Sequence, residues 1–143
     1  MERIMKIEIY DDGSVTVEQK PTRPHSKNVP NVSIYARFFN SANPNWSKNS
    51  VYNLMFLKIQ QDYANDILRT RGFLFLNDVL DLLGIPRTEV GAVVGWTYRK
   101  DNTIGDNFVD FGIDADRNQD FVNGHDNTPL LDFNVDGCIL DKI

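Results

Sequence analysis

Across residues 51–67 the apolar side chains recur at steps of three and four, and no other feature narrows the possible folds as much. Val51, Leu54, Met55, Ile59, Tyr63 and Ile67 fall on one side of a helical wheel, interleaved with Lys58, Asp62 and Asp66. Ser50 is a good N-cap, because a hydroxyl can accept from the free amides of a first turn. Arg69 and Arg71 stand where the helix dipole favours cations, and Gly72 offers a left-handed stop. This predicts one long helix over residues 50–71, with the face from Val51 to Ile67 turned to the core.

Further helix signals follow. Phe73-Leu74-Phe75-Leu76 reads as a buried strand or an extended anchor. Asn77 then caps a short helix closed by Gly84. Pro86 holds Ile85 out of the helical region. Thr88 caps a second short helix, with Glu89 in its first turn, and Gly95 ends it. With its glycines as stops and its polar residues as caps, the stretch 63–96 reads as scaffold.

The flanks read as strands and turns. Residues 4–10 and 15–19 are β-branched runs on either side of Asp11-Asp12-Gly13-Ser14, where glycine accepts the positive φ of a tight hairpin turn. Residues 20–31 carry Pro21, Pro24 and Pro30 and read as an exposed connector. Residues 32–39 suit a strand, and 40–50 a loop in which Trp46 is either an anchor or an exposed contact residue. Past Gly95, strands are expected at 96–98, 107–113, 129–135 and 138–140, joined by Asn/Asp/Gly turns. The predicted class is α+β: an N-terminal β-hairpin, and one long plus two short helices packed on a small antiparallel sheet. Residues 1–49 form a hairpin and proline-rich connector, as an arm or as part of the same domain. Residues 50–143 form the α+β domain.

At 143 residues and 41% hydrophobic content the chain can bury a real core. No apolar run approaches the roughly 20 residues of a membrane span, and the N-terminus has no hydrophobic signal core, so a cytoplasmic protein is expected. Cys138 stands alone and is expected to be a buried, inert thiol. The net charge of −5 is unevenly spread: residues 101–143 hold ten Asp, no Glu, and only Arg117 and Lys142 as cations. An acidic segment of this kind either faces a basic partner or forms a solvated rim.

No constellation carries catalysis. Residues 114–120 place oxygen ligands at alternate positions like half a calcium loop, but Gln119 stands where the turn glycine belongs and His125 where the bidentate glutamate belongs. Arg117 puts a cation inside that loop. His25 and His125 lack partners at metal-ligand spacing, so no zinc site is expected. The glycines of residues 84–95 precede no lysine-serine pair and cradle no phosphate. The basic residues Arg69, Arg71, Arg87, Arg99 and Lys100 belong to a chain that is acidic overall, so direct nucleic-acid binding is not expected. The expectation is no catalytic residue, no metal and no cofactor.

The order of short motifs adds a resemblance. Leu76-Asn77-Asp78, Leu83-Gly84, Gly95-Trp96, Asp110-Phe111 and Leu131-Asp132-Phe133-Asn134-Val135, within residues 63–140, resemble the C-terminal domain of an uncharacterised family encoded by phages and prophages of Firmicutes. Longer members of that family look as if they carry an N-terminal membrane segment; here the hairpin and connector stand in its place, and no membrane role is carried over. The resemblance transfers no activity, and what it implies is context. A small acidic phage protein without catalytic signatures is expected to bind another protein in the host cytoplasm. The leading expectation is an anti-CRISPR-like inhibitor of host defence that occupies a basic nucleic-acid-binding surface of its target. The partner-binding candidates are Asp110, Asp114, Asp116, Asp120, Asp126 and Trp46. The alternative is a phage structural or accessory component that self-assembles as a homo-oligomer through Trp46, Phe38, Phe39 and the hairpin. An enzyme of unrecognised type comes last.

Overall fold

The computed structural model describes residues 32–101 and 105–143. The chain divides into two compact units, Met1–Ala36 and Arg37–Ile143. The expected hairpin and proline-rich connector lie outside the described residues. Within the described part of the first unit, Val32, Ser33 and Tyr35 are buried, and the Tyr35 amide donates to Ser33 Oγ at 3.1 Å.

The second unit is α+β. In chain order it contains β1 (Arg37–Phe38), α1 (Ser50–Arg71), β2 (Phe73–Phe75), α2 (Leu76–Leu83), β3 (Val94–Thr97), α3 (Gln119–Val122), β4 (Leu130–Leu131) and β5 (Gly137–Cys138). Two 3-10 turns, Val90–Ala92 and Asp116–Asn118, complete it. The strands form two short antiparallel sheets rather than one: β2-β3-β5, with Leu74 opposite Trp96 and Val94 opposite Cys138, and β1-β4, with Arg37 opposite Leu131. β1 lies ahead of position 50, and so does Trp46, whose indole N–H donates to the Asn127 carbonyl at 2.7 Å.

α1 runs where the periodicity places it, but it is turned the other way. The residues it buries are Asn53, Leu57, Ala64 and Leu68. Val51, Tyr52, Met55, Ile59 and Tyr63 are each more than half exposed. The reason is hydrogen bonding as much as hydrophobicity. Asn65 Oδ1 accepts from the Val109 amide at 2.7 Å, its Nδ2 donates to the Val109 carbonyl at 2.9 Å, and Gln61 Oε1 accepts from the Phe111 amide at 2.8 Å. Asn53 Oδ1 accepts from the Ser47 amide and its Nδ2 donates to the Ser47 carbonyl. Backbone polar groups that leave water must be paired, so the face carrying these amides goes inward.

The same bonds explain why residues 107–113 are not a strand. Val109, Phe111 and Ile113 alternate inward and are buried as expected, but much of the ladder is replaced by side chains of α1 and Asn134. Asn134 Oδ1 accepts from both the Asp110 amide at 2.7 Å and Trp96 Nε1 at 2.9 Å. Among the described residues Trp96, Phe39, Phe111, Phe121 and Phe133 are the largest fully buried side chains, with Phe111 and Phe133 edge to face at 5.6 Å between centroids.

Four local expectations are corrected. The cap of α1 is Asn49, whose Oδ1 accepts from the Val51 and Tyr52 amides at 2.9 and 3.3 Å. Asn77 is no cap; it is buried inside α2 and clasps Thr88, donating to its carbonyl and accepting from its amide, both at 3.0 Å. At the start of α2 it is Asp78 that accepts the Phe75 amide, at 3.0 Å. Gly72 and Gly84 do stop helices in the left-handed region, with φ of 91° and 79°, whereas Gly95 lies inside β3. Any Cβ on Gly95 would run into the Leu74 carbonyl oxygen and come within 2.8 Å of Phe75 Cα, so glycine lets β2 and β3 close up there. Cys138, expected buried, is exposed, because Ile139 takes the inward position of the pair.

Candidate partner-binding face

The acidic segment is shaped by two buried residues. Asn118 closes the 3-10 turn at its start: its Oδ1 accepts from the Leu130 amide, and its Nδ2 donates to the Gly112 and Leu130 carbonyls, each at 2.9 Å. Phe121, one helical turn on, is buried in the core. With Asn118 and Phe121 held inward, Asp114, Asp116 and Asp120 are left exposed. The Asp120 carbonyl then accepts the His125 and Asp126 amides at 2.7 and 3.2 Å, so the loop curls back with Asp126 also in solvent. Asn127 ties the end of the segment to α1 and its approach, accepting from Asn53 Nδ2 at 2.6 Å and donating to the Ser47 carbonyl at 2.9 Å.

Arg117 is the cation inside this segment: the residue as a whole is exposed, but its guanidinium lies against the backbone of Gly112 and Leu130 and is partly desolvated there. Nε donates to the Leu130 carbonyl at 3.3 Å, and Nη2 lies over Gly112. Burial pushes the guanidinium below its ordinary pKa, while the Asp132 and then the Asp110 carboxylates pull it back. It stays a cation, since a guanidinium is not deprotonated in proteins. Its charge is directed to Asp132 and Asp110 rather than to the outer carboxylates. Among the described residues, none of Asp114, Asp116, Asp120 and Asp126 forms an ion pair.

The six candidate residues therefore separate. Asp114, Asp116, Asp120 and Asp126 are exposed along one continuous segment. Asp110 is half-buried, and its Oδ1 accepts from the Gly112 amide at 2.8 Å in a local turn. Trp46 is half-buried and pinned through Asn127. Of the aromatic pair named beside it, Phe38 is exposed and Phe39 is fully buried, stacked on Phe56 at 5.7 Å between centroids. Four of the described arginines before the acidic segment form ion pairs: Arg69 with Asp66, Arg71 with Asp78, Arg87 with Asp81 and Arg99 with Asp101. Among the described residues no three His, Cys, Asp or Glu side chains gather as a metal site would require, and no helix is long and apolar enough to cross a membrane.

The outer face of α1 is not visible as a surface from apolar spacing alone. Val51, Tyr52, Met55, Ile59 and Tyr63 form an apolar stripe in solvent. The available signal was that Asn53, Gln61 and Asn65 share a side of the helix with Leu57, Ala64 and Leu68, giving α1 two faces able to bury apolar surface.

By fold, then, the described second unit is α+β, built on two short antiparallel sheets, and one exposed segment of it carries four carboxylates without an ion pair. The chain belongs to DUF6353, a family of unknown function whose model matches residues 3–143. No curated protein and no solved structure matches the chain.

Proposed function

We propose that this is a small phage-encoded protein that binds another protein in the host cytoplasm and inhibits a host defence system. In this reading it acts as anti-CRISPR proteins do, by occupying a basic nucleic-acid-binding surface of its target. The phage setting rests on the motif order described above. The binding mode rests on one observation: Asp114, Asp116, Asp120 and Asp126 stand exposed in sequence order and form no ion pair among the described residues, while the guanidinium of Arg117 in their midst is engaged with the Leu130 carbonyl and the Asp132 and Asp110 carboxylates. A run of like charges on a fixed scaffold steers association with a basic partner and competes with phosphate for it. The pairing of Arg69, Arg71, Arg87 and Arg99 with Asp neighbours favours a protein target over nucleic acid itself.

The test is guide-directed DNA binding by a panel of purified CRISPR effector complexes, with and without the protein. Inhibition by the wild type, weakened by about tenfold or more when all four carboxylates become Asn, is expected. Equal inhibition by the Asn variant refutes the acidic face. No inhibition of any effector refutes the anti-CRISPR mode. A self-assembling phage component is the second reading, and the exposed stripe on α1 favours it.

A further inference from the structure

α1 is 22 residues long and has two apolar faces. Asn53, Leu57, Ala64 and Leu68 serve the core. On the other side Val51, Tyr52, Met55, Ile59 and Tyr63 are 62, 52, 58, 57 and 53% exposed. The steps from Tyr52 to Met55 and from Met55 to Ile59 are three and four, the spacing of a helix-pairing seam. Past Ile59 the same seam turns acidic, at Asp62 and Asp66, while Lys48 stands exposed just before its start. The stripe thus has an apolar middle, a lysine just ahead of its start, and carboxylates toward its far end, one of them (Asp66) already paired with Arg69.

We infer that a second copy of this chain packs on this stripe, α1 against α1, antiparallel, with the two-fold axis level with Leu57. A two-fold contact must be self-complementary, and this register is. Met55 of each copy meets Ile59 of the other at the centre, and Val51 meets Tyr63 beside them. Tyr52 comes opposite Asp62, so that a phenol O–H can donate to a carboxylate. Lys48, two residues ahead of the helix, lies near the end of the seam where its long side chain can reach Asp66 of the other copy, which already holds Arg69 at 2.5 Å and becomes a shared acceptor. A parallel pair would set Asp62 against Asp62 and Asp66 against Asp66. Lys58 flanks the centre, where its long stem can lie along the seam with the ammonium in water. A helix of this length spans about 33 Å, and one helix pair covers less than the ~1,200–2,000 Å² of a tight interface. The dimer is therefore weak and concentration-dependent.

The inference rests on the self-assembly reading and is independent of the acidic face. Sedimentation velocity on the full chain, from about 10 μM to about 1 mM, reads the association directly. A monomer–dimer equilibrium in that range is expected, with Ile59→Asp weakening it by about tenfold or more. Circular dichroism should show that variant folded, because Ile59 is exposed. Lys48→Glu and Asp66→Lys should each weaken the dimer, and the two combined in one chain should restore it. A monomer at every concentration overturns both this pairing and self-assembly. A dimer indifferent to Ile59→Asp overturns the pairing but leaves self-assembly standing. Loss with Ile59→Asp but no restoration in the combined variant overturns the antiparallel register.

Discussion

Asn118 is where fold and candidate face meet, and replacing it by Ala is the most revealing perturbation. The side chain is 3% exposed and makes three hydrogen bonds, all at 2.9 Å: one from the Leu130 amide, one to the Gly112 carbonyl and one to the Leu130 carbonyl. Alanine leaves the Leu130 N–H without that acceptor in a buried setting, at a cost of about 1–3 kcal/mol. The two carbonyls lose a donor; the Leu130 oxygen keeps Arg117 Nε at 3.3 Å, so the added loss falls mainly on Gly112. Together this amounts to about 2–4 kcal/mol. For a chain of this size it corresponds to a fall in Tm of about 6–12 °C by calorimetry. Asn118→Asp should be at least as damaging. One carboxylate oxygen can still accept from Leu130, but the other is forced against two carbonyl oxygens that had received a donor. Because Asn118 closes the turn carrying Asp116 and precedes Asp120, amide exchange across residues 114–126 should accelerate in both variants. A Tm within about 2 °C of wild type for Asn118→Ala, or Asn118→Asp the milder of the two, would refute the role of Asn118 in tying its turn to Gly112 and Leu130.

Three further outcomes follow from particular contacts. Gly95→Ala should cost at least about 3 kcal/mol in urea unfolding, because its Cβ meets the backbone of β2, which cannot swing aside; a near-neutral result contradicts the close pairing of β2 and β3. Phe39→Ala should cost about 3–5 kcal/mol and Phe38→Ala under about 0.5 kcal/mol, and similar losses for both would mean the register of β1 is misassigned. The hydrogen bonds from Arg87 hold the Asp81 carboxyl below its usual pKa, at 2.6 to 3.2 Å. A depressed carboxylate stabilises above its unfolded pKa and loses that contribution as pH falls through the folded one. An NMR titration should therefore find Asp81 titrating lower in wild type than in Arg87→Gln, and identical curves count against the pair.

How much of this is legible in the sequence depends on which physical signal carried it. α1 follows from its period and from Gly72, because helical spacing and a left-handed stop are local properties. Its orientation is not legible by counting apolar residues. The inward face recruits Asn53, Gln61 and Asn65, which read as polar until the backbone they satisfy is known. In residues 107–113 the inward alternation is visible, but the partner is a set of amide side chains rather than a strand, and tertiary pairing of that kind leaves no trace in a window. Gly95 shows the ambiguity of glycine: a helix stop and a close approach of two strands leave the same letter, and only the position of Leu74 decides. Phe38 and Phe39 are adjacent and chemically identical, so only the pleat of β1 separates surface from core.

The acidic face was legible in part. Ten Asp after position 100 signal a charged surface, and Asp114, Asp116, Asp120 and Asp126 are indeed in solvent. Composition could not show that Asp110 bonds its own turn, that Trp46 is tied to Asn127, or that Arg117 turns its head group to Leu130 and Asp132. Each depends on which loop the fold brings alongside. The exposed stripe on α1 went unseen for the same reason.

In the proposed binding mode the four outward carboxylates meet a basic surface. The proposed anti-CRISPR reading is tested by the salt dependence of affinity for a purified CRISPR effector, compared between wild type and the variant in which Asp114, Asp116, Asp120 and Asp126 are Asn. Wild-type affinity should fall steeply with added salt, and the variant should bind more weakly with a clearly shallower dependence. Equal affinity and equal salt dependence in the two proteins would contradict this reading.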